Sequence, residues 1–395
     1  MTQLTHTPSI FNTFFMGGFE CSTHRPRHGR RLDLIAATQH DTFARLDYER
    51  LREQGIATAR DGIRWHLIET RPYHYDFSSA LPMVQAARDT GVQIIWDLCH
   101  YGWPDDLDIF SPAFVDRYAA LAGAFARLLD DEGIRAPMYA PMNEISFFAW
   151  AGGTVGYFNP YCEEPGNRLK DQLIRAVVAG IEAVWAVNPA ARIVHPDPVI
   201  NVACHPDRPE EQALADAHTQ SQFEAWDMIA GFTAPHLGGK PAYLDIIGIN
   251  YYPHNQWIWS HLPFNPAYAI HRDNPLYRPF RRIVADVWAR YHRPILVAET
   301  GAGDEERAEW LDYMGDEIRA ALDEGAQVEG ICLYPILNFP WWDDERHLHN
   351  GLWDKADSMG ERPIYEPLAE ELARQRTLFE SYFRRQSLAY ATQER

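Results

Sequence analysis

Short apolar runs alternate with longer amphipathic segments along most of the chain, and this alternation predicts repeated strand–helix units around a parallel sheet. Three glycines, Gly55, Gly91 and Gly325, follow helical segments directly before the next apolar run, where a left-handed helix cap is favoured. The predicted strands cover residues 13–20, 56–62, 92–98, 138–142, 192–195, 244–249, 295–298 and 328–334. The predicted helices cover residues 38–54, 79–90, 112–131, 167–187, 211–231, 275–291, 305–324 and 367–384.

Eight such units predict a fold of the α/β class, a single (β/α)8 TIM barrel. No linker rich in proline, glycine or serine divides the chain, so we expect residues 1–395 to form one catalytic domain with long βα loops. The longer insertions follow strands and are rich in tryptophan, tyrosine, histidine and proline. They should gather at the C-terminal face of the barrel, where such folds carry their sites. These insertions cover residues 145–166, 201–209, 250–274 and 338–363.

Net charge, the N-terminal sequence and the cysteine spacing limit the expected partners, the location of the protein and the kinds of structural site. A formal net charge of −19 argues against nucleic acid and against an anionic membrane surface, because both would be repelled. The N-terminus lacks a signal-peptide pattern and no apolar run reaches membrane-spanning length, which predicts a cytoplasmic protein. The five cysteines are scattered without a CxxC pair, so neither a disulfide framework nor a zinc knuckle is expected. A homo-oligomer remains possible.

Two glutamates close strands on opposite sides of the predicted barrel. Glu144 ends the fourth apolar run and Glu299 ends the seventh. A single glutamate at a strand end is most often a surface or ion-paired residue, but a matched pair can converge on one sugar ring. Cleavage of a glycosidic bond needs one carboxyl group to protonate the leaving oxygen and another to attack the anomeric carbon. We therefore predict that Glu144 and Glu299 are the two catalytic carboxyl groups, with the Asn143 amide available to a sugar 2-hydroxyl.

Motifs at most of the strand ends resemble those of glycoside hydrolase family 1, a family of clan A barrel hydrolases. The resemblance extends from about residue 14 to residue 354, and its motifs cover residues 16–24, 60–65, 97–104, 143–144, 248–252 and 299–301. It implies a retaining β-glycoside hydrolase that acts on a small-molecule or oligosaccharide β-glycoside, such as a β-glucoside or β-galactoside, by double displacement. Neither a cofactor nor a metal is implied.

The resemblance also implies that Glu144 is the general acid/base and Glu299 the nucleophile, and it implies roles for residues around them. Arg60 would support the nucleophile, although a lone arginine is more often a structural ion pair. Tyr252, in the motif that contains Asn250, would donate a hydrogen bond to Glu299, although a tyrosine in an apolar strand more often packs in the core. His100 would contact the sugar at the non-reducing side of the bond, the glycone; its alternative is a core histidine.

Several positions depart from the family pattern and predict either weaker discrimination at the distal hydroxyls than in a typical family member or a preference for a substituted or unusual glycone. His24 stands where a glycone-binding glutamine is usual, and Thr300 replaces an asparagine. Tyr334 stands in place of a sugar-stacking tryptophan. Trp341, followed by Trp342, lies near the place of a carboxylate that grips the distal hydroxyls. The nearby acidic residues that could restore such a contact are Asp343, Asp344 and Glu345.

Two other functions remain open at this point. A sugar-binding barrel without turnover would keep the aromatic and histidine contacts but would not need both carboxylates. A metal-dependent barrel hydrolase of amide or ester bonds would use histidine and aspartate ligands. The residues available for that chemistry are Asp97, His100, His195, His347 and His349.

Overall fold

The computed structural model describes residues 8–27, 29–163, 166–261 and 268–393. Within these residues eight parallel strands close into a barrel, in which each strand pairs with its neighbours in chain order and the first pairs with the last. The barrel strands are β1 (Phe15–Gly18), β2 (Thr58–Gly62), β3 (Gln93–Asp97), β4 (Met138–Ala140), β5 (Arg192–Pro198), β6 (Ile246–Asn250), β7 (Ile295–Thr300) and β8 (Val328–Leu333).

Helices surround the barrel and cover the outer face of the strands. Those in the described residues are Leu34–Ala37, His40–Glu53, Trp65–Ile68, Leu81–Thr90, Pro112–Asp131, Ile145–Gly153, Asn167–Val187, Gln212–Gln220, Glu224–Ile229, Phe280–Tyr291, Arg307–Asp323 and Glu366–Gln393. No helix in the described part of the chain combines the length and apolar character needed to cross a membrane.

Burial on both faces explains why the strands read as continuous apolar runs. Inward-pointing side chains fill the barrel, and a larger cluster packs between the strands and the helices. The inner set includes Met16, Ile95, Met138, Val194, Ile246 and Leu296, all of them at most 2% exposed. Because this packed interior supports the strands from within, the strand ends are held firmly at the C-terminal face.

The predicted (β/α)8 barrel is confirmed, and each of the eight predicted strands overlaps a barrel strand. The single helix predicted over 211–231 is wrong, because Gln212–Gln220 and Glu224–Ile229 are separate helices joined by a short 3-10 turn. Gln222 in that turn accepts a hydrogen bond from the Ile200 backbone N–H (3.0 Å) and donates one to the Thr219 carbonyl (2.6 Å). These bonds tie the turn to the loop after β5.

Local structure also occurs where the sequence pattern predicted only loops. The helix Ile145–Gly153 follows β4 directly, and Asn201–Ala203 pairs in parallel with Gln256–Ile258. This two-stranded sheet joins the loops that follow β5 and β6. At three residues each, its strands are too short to show a period of their own. None of the five cysteines forms a disulfide bond within the described residues.

Candidate active site

A cavity of about 1390 Å³ opens at the C-terminal face of the barrel. Glu144 and Glu299 both line it, together with His100, Tyr252 and Tyr334. Aromatic side chains dominate the outer part of the wall, which is typical of sites that bind a ring-shaped ligand. These outer residues include Phe147, Trp150, Tyr157, Trp257, Trp259, Trp341 and Trp342.

Glu299 lies near the end of β7, is 4% exposed, and both of its oxygens are held. Arg60 donates a hydrogen bond to Oε1 (2.6 Å), and the Tyr252 hydroxyl donates one to Oε2 (2.7 Å). Arg60 is fully buried in β2 and also forms an ion pair with Asp97 at the end of β3 (2.9 Å). Residues from β2 and from the end of β6 therefore orient the carboxylate of Glu299 in the cavity wall.

Glu144 follows β4 and sits at the start of the helix Ile145–Gly153 with a left-handed backbone, φ 45°. Its backbone N–H donates to the Pro196 carbonyl (3.0 Å), which anchors the turn to β5. The side chain of Asn250 donates to Oε1 of Glu144 (2.9 Å), and the Tyr101 hydroxyl donates to Oε2. Two neutral donors thus hold a carboxyl group that forms no ion pair within the described residues.

The two carboxyl groups differ in the charge around them. Asn250, which bonds Glu144, is the register partner of Glu299 between β6 and β7, so the two glutamates occupy adjoining places. Burial, followed by the negative charge of Glu299, raises the pKa of Glu144 to about 8. Burial also raises the pKa of Glu299, but Arg60 and the Tyr252 hydroxyl act against it. A proton shared by the pair is therefore favoured on Glu144.

The Asn143 side chain is fully engaged by protein partners. Its oxygen accepts from Arg60 (2.6 Å), and its NH₂ group donates to His100 Nε2 (2.9 Å) and to the Tyr101 hydroxyl (2.9 Å). Because Nε2 of His100 accepts, its ring proton lies on Nδ1, which faces Asp97 at 3.2 Å. This network links the supports of Glu144 to those of Glu299.

Not every predicted glycone residue reaches the cavity. His24 is 1% exposed, and its ring packs against Tyr101, Phe158 and Trp342. Its Nδ1 has no hydrogen-bond partner in the described structure, and His24 is not part of the cavity wall. Packing among rings therefore keeps His24 out of the cavity wall, although it stands in place of the family's glycone-binding glutamine.

Tyr334, Trp341 and Trp342 do line the cavity. The Tyr334 ring is 2% exposed, lies parallel to His100 with centroids 6.2 Å apart, and has the Arg60 guanidinium 5.2 Å from its centroid. Trp341 and Trp342 are half-buried and stack on each other, with centroids 6.0 Å apart. Arg60, Asn143 and Asn250 lie behind the wall and support it.

The acidic residues of the β8 loop do not supply a cavity carboxylate. Asp343, Asp344 and Glu345 are exposed and are not part of the wall. The Tyr157 hydroxyl donates to Asp343 (2.6 Å), and Glu345 pairs with Arg30 on the surface.

Two residues of the site escaped the sequence reasoning. Tyr101 lies in the third-strand motif, directly after His100, but only the folded chain shows that its hydroxyl meets Glu144. Glu20, just beyond β1, is 6% exposed and lines the cavity. The signal that could have identified Glu20 is an acidic residue just beyond a predicted strand, in the same motif as His24.

Two groups of side chains in the described residues could bring metal-ligand atoms together, and one includes His100. In that group Asp97 is already paired with Arg60, and burial raises the pKa of the Cys21 thiol well above its ordinary value. A protonated thiol is a poor metal ligand. The second group, His347, His349 and Asp354, lies in the loop after β8, where His347 already bonds Asp354 (2.6 Å). His195, fully engaged with the Tyr243 carbonyl (2.8 Å), belongs to neither group.

No model of a known protein family matches the sequence, and no curated protein sequence matches it. Solved structures do share its fold. The family 1 β-glucosidase from Thermotoga maritima is 15% identical, with a TM-score of 0.72 over 94% of this chain and 99% of that chain. A hyperthermophilic β-glucosidase mutant that forms a dodecamer in its crystal is 15% identical, with a TM-score of 0.73 over 93% and 100% of the two chains. The AHE enzyme from Alicyclobacillus herbarius is 16% identical, with a TM-score of 0.70 over 86% and 88%. The chain therefore shares the (β/α)8 fold of family 1 β-glucosidases.

Proposed function

We propose that the protein is a retaining β-glycoside hydrolase, a divergent relative of the family 1 β-glucosidases, which needs no cofactor. The observation that carries this proposal is the pair of carboxyl groups in one cavity with unlike surroundings. Glu299 is held by a cation and a phenol, whereas Glu144 is held by an amide and a phenol. Such a difference separates a nucleophile from an acid.

In the first step the carboxylate of Glu299 attacks the anomeric carbon while Glu144 gives its proton to the glycosidic oxygen. The C–O bond to the leaving group breaks, an alcohol departs, and a covalent glycosyl-enzyme ester forms. The pKa of about 8 keeps Glu144 protonated near neutral pH, as this step requires. Arg60 and Tyr252 hold Glu299 in place and favour its ionised form.

In the second step Glu144 acts as a base. Once Glu299 is a neutral ester, its charge no longer raises the pKa of Glu144, which stays ionised after losing its proton. Glu144 then takes a proton from water, the water oxygen attacks the anomeric carbon, and the ester bond to Glu299 breaks. The sugar leaves with its original configuration, and the carboxylate of Glu299 and the proton of Glu144 are restored.

The experiment that tests this proposal combines product stereochemistry with loss of the nucleophile. Wild type should hydrolyse one or more nitrophenyl β-glycosides, and NMR should detect the β-anomer as the first product. Glu299→Ala should lose about 10³-fold or more in kcat and recover part of it with added azide, which fits the vacated space. The product with azide should be the α-glycosyl azide.

Glu305→Ala is the matched control, because Glu305 is an exposed glutamate in the loop that follows the same strand. It should retain wild-type turnover without azide. An α-anomer as first product, or full activity of Glu299→Ala without any anion, would contradict the proposed mechanism. Release of sugar only from α-glycosides would contradict the substrate class.

A further inference from the structure

Glu20 is a third carboxylate in the cavity, and the reaction proposed above does not use it. It lies two residues beyond Gly18, the end of β1, and is 6% exposed. Its Oε1 accepts hydrogen bonds from the backbone N–H of Ser22 (2.9 Å) and from the Ser22 hydroxyl. These two donors occupy one oxygen and fix the orientation of the carboxylate, while Oε2 accepts no hydrogen bond within the described structure.

No arginine or lysine forms an ion pair with Glu20 among the residues that the structure describes. The nearest candidate is His100, whose Nε2 lies 3.8 Å from Oε1. That nitrogen already accepts from the Asn143 amide, and the amide cannot turn over because its oxygen accepts from Arg60. A buried carboxylate with one free oxygen is costly unless something supplies donors to it. A ligand in the cavity is the available source.

The register of the barrel places Glu20 close to Arg60, the residue that holds the nucleophile. Gly18 pairs with Arg60 across β1 and β2, and the Phe19 backbone N–H donates to the Arg60 carbonyl (2.9 Å). Arg60 in turn holds Glu299. A sugar whose anomeric carbon meets Glu299 would thus present its ring hydroxyls toward Glu20. The negative charge of Glu20 reaches this region, since it is one of the causes that raise the pKa of Glu299.

We propose that Glu20 binds the glycone, accepting hydrogen bonds at Oε2 from neighbouring ring hydroxyls, and determines which glycone is used. This inference rests on the proposed glycosidase function. It assigns to the end of β1 a carboxylate contact that the acidic residues of the β8 loop do not supply, since Asp343, Asp344 and Glu345 are exposed and are not part of the cavity wall. A carboxylate accepts but does not donate, so it selects a hydroxyl and rejects a glycone that lacks one.

The test compares wild type with Glu20→Gln on a dinitrophenyl β-glycoside and on its monodeoxy analogues, each lacking one ring hydroxyl. In wild type, loss of a hydroxyl that Glu20 contacts should lower kcat/KM by about 10- to 100-fold, typical of a hydrogen bond to a charged group. In Glu20→Gln the kcat/KM for the parent substrate should fall by a similar factor. The same deoxygenation should then cost only about threefold or less, because the contact is already weakened.

Glu345→Gln is the control, because it makes the same chemical change in the β8 loop outside the cavity, and it should match wild type throughout. Unfolding curves establish that each variant is folded. Glu20→Asp is the second variant: it keeps the charge but retracts the oxygens by one methylene, and it should show the same loss of hydroxyl discrimination.

Deoxygenation penalties that are unchanged in both Glu20 variants would overturn the assignment. Trapping with a deoxyfluoro glycoside, followed by peptide mass spectrometry, distinguishes failure of the Glu20 assignment from failure of the proposed glycosidase function. A labelled Glu299 with unchanged penalties refutes the role of Glu20 alone, whereas no label and no hydrolysis in wild type refute the glycosidase function and the inference with it.

Discussion

At the scale of single residues, Glu144 has two hydrogen-bond donors, Asn250 and Tyr101, and no cationic partner in the described structure. Its pKa of about 8 therefore depends on burial and on the charge of Glu299, neither of which is a property of glutamate itself. In the proposed reaction kcat/KM should fall as the pH rises through about 8, because Glu144 loses the proton that the leaving group needs.

Glu144→Gln should remove that alkaline limb of the pH–rate profile. It should also slow poor leaving groups by about 10²- to 10⁴-fold, the usual contribution of a general acid, while dinitrophenyl glycosides still form the glycosyl-enzyme quickly. Steady-state kinetics over pH with good and poor leaving groups, and burst kinetics with the dinitrophenyl substrate, measure both effects. Equal losses on both substrates, with the limb retained, would assign the acid to another residue.

Tyr101→Phe tests the same proton without removing the carboxyl group. The Tyr101 hydroxyl donates to Glu144 and favours its ionised form, so its loss should raise the pKa of Glu144 further. We expect the alkaline limb to move upward by about 0.5–1 pH unit, which corresponds to one ordinary hydrogen bond. Movement toward lower pH would contradict the hydrogen bond as described.

At the scale of elements, the packing of β1 against β8 positions part of the cavity wall. Gly17 pairs with Leu333 across these strands, and a Cβ added to Gly18 would overlap the Tyr334 ring. The absence of a side chain at this position lets Tyr334 lie against the strand, parallel to His100. A glycine in β1 thus determines where an aromatic ring of the site sits.

Gly18→Ala should therefore lower the free energy of unfolding by about 1–3 kcal/mol through overpacking and should displace Tyr334. If the ring moves into the cavity, KM should rise more than kcat falls. Gly123→Ala is the comparison, because a Cβ there meets only atoms at 3.5 Å or beyond in the middle of the helix Pro112–Asp131. It should be neutral or stabilising by about 0.5–1 kcal/mol. Urea unfolding and steady-state kinetics distinguish the two, and equal stabilities would contradict the close packing.

At the scale of the whole molecule, the raised pKa of Glu144 links the site to global stability. The folded protein holds this proton up to about pH 8, whereas the unfolded chain releases it near 4.5. Between these values the folded state binds more protons, so the free energy of unfolding falls as the pH rises through this window. Asp197, a buried neighbour whose pKa is raised to about 7 by burial, contributes in the same direction.

Glu144→Gln should remove the part of this pH-dependent loss of stability that Glu144 contributes. The variant should unfold with the same free energy as wild type at pH 4 and with about 1–3 kcal/mol more at pH 8.5, the full shift being reduced by water in the cavity. Urea unfolding at the two pH values measures the difference. A gain of the same size at pH 4 would show that packing, not ionisation, is responsible.

The sequence by itself determined the barrel and the places of Glu144 and Glu299. Strands buried on both faces must be apolar, and βα units must alternate, so the eight strands and the face that carries the loops follow from local patterns. Strand-end motifs also bring Arg60 and Tyr252 to Glu299, because the strands of a closed barrel all end on one face and their side chains converge there.

Only the tertiary structure decided which side chains face the cavity. The bond from Tyr101 to Glu144, the withdrawal of His24 among rings and the free oxygen of Glu20 depend on contacts between loops from different strands. These loops have no period, and a one-residue difference in how each leaves its strand exchanges the residues that point inward. The raised pKa of Glu144 also depends on the tertiary structure, because burial and the charge of Glu299, which is distant in sequence, determine it.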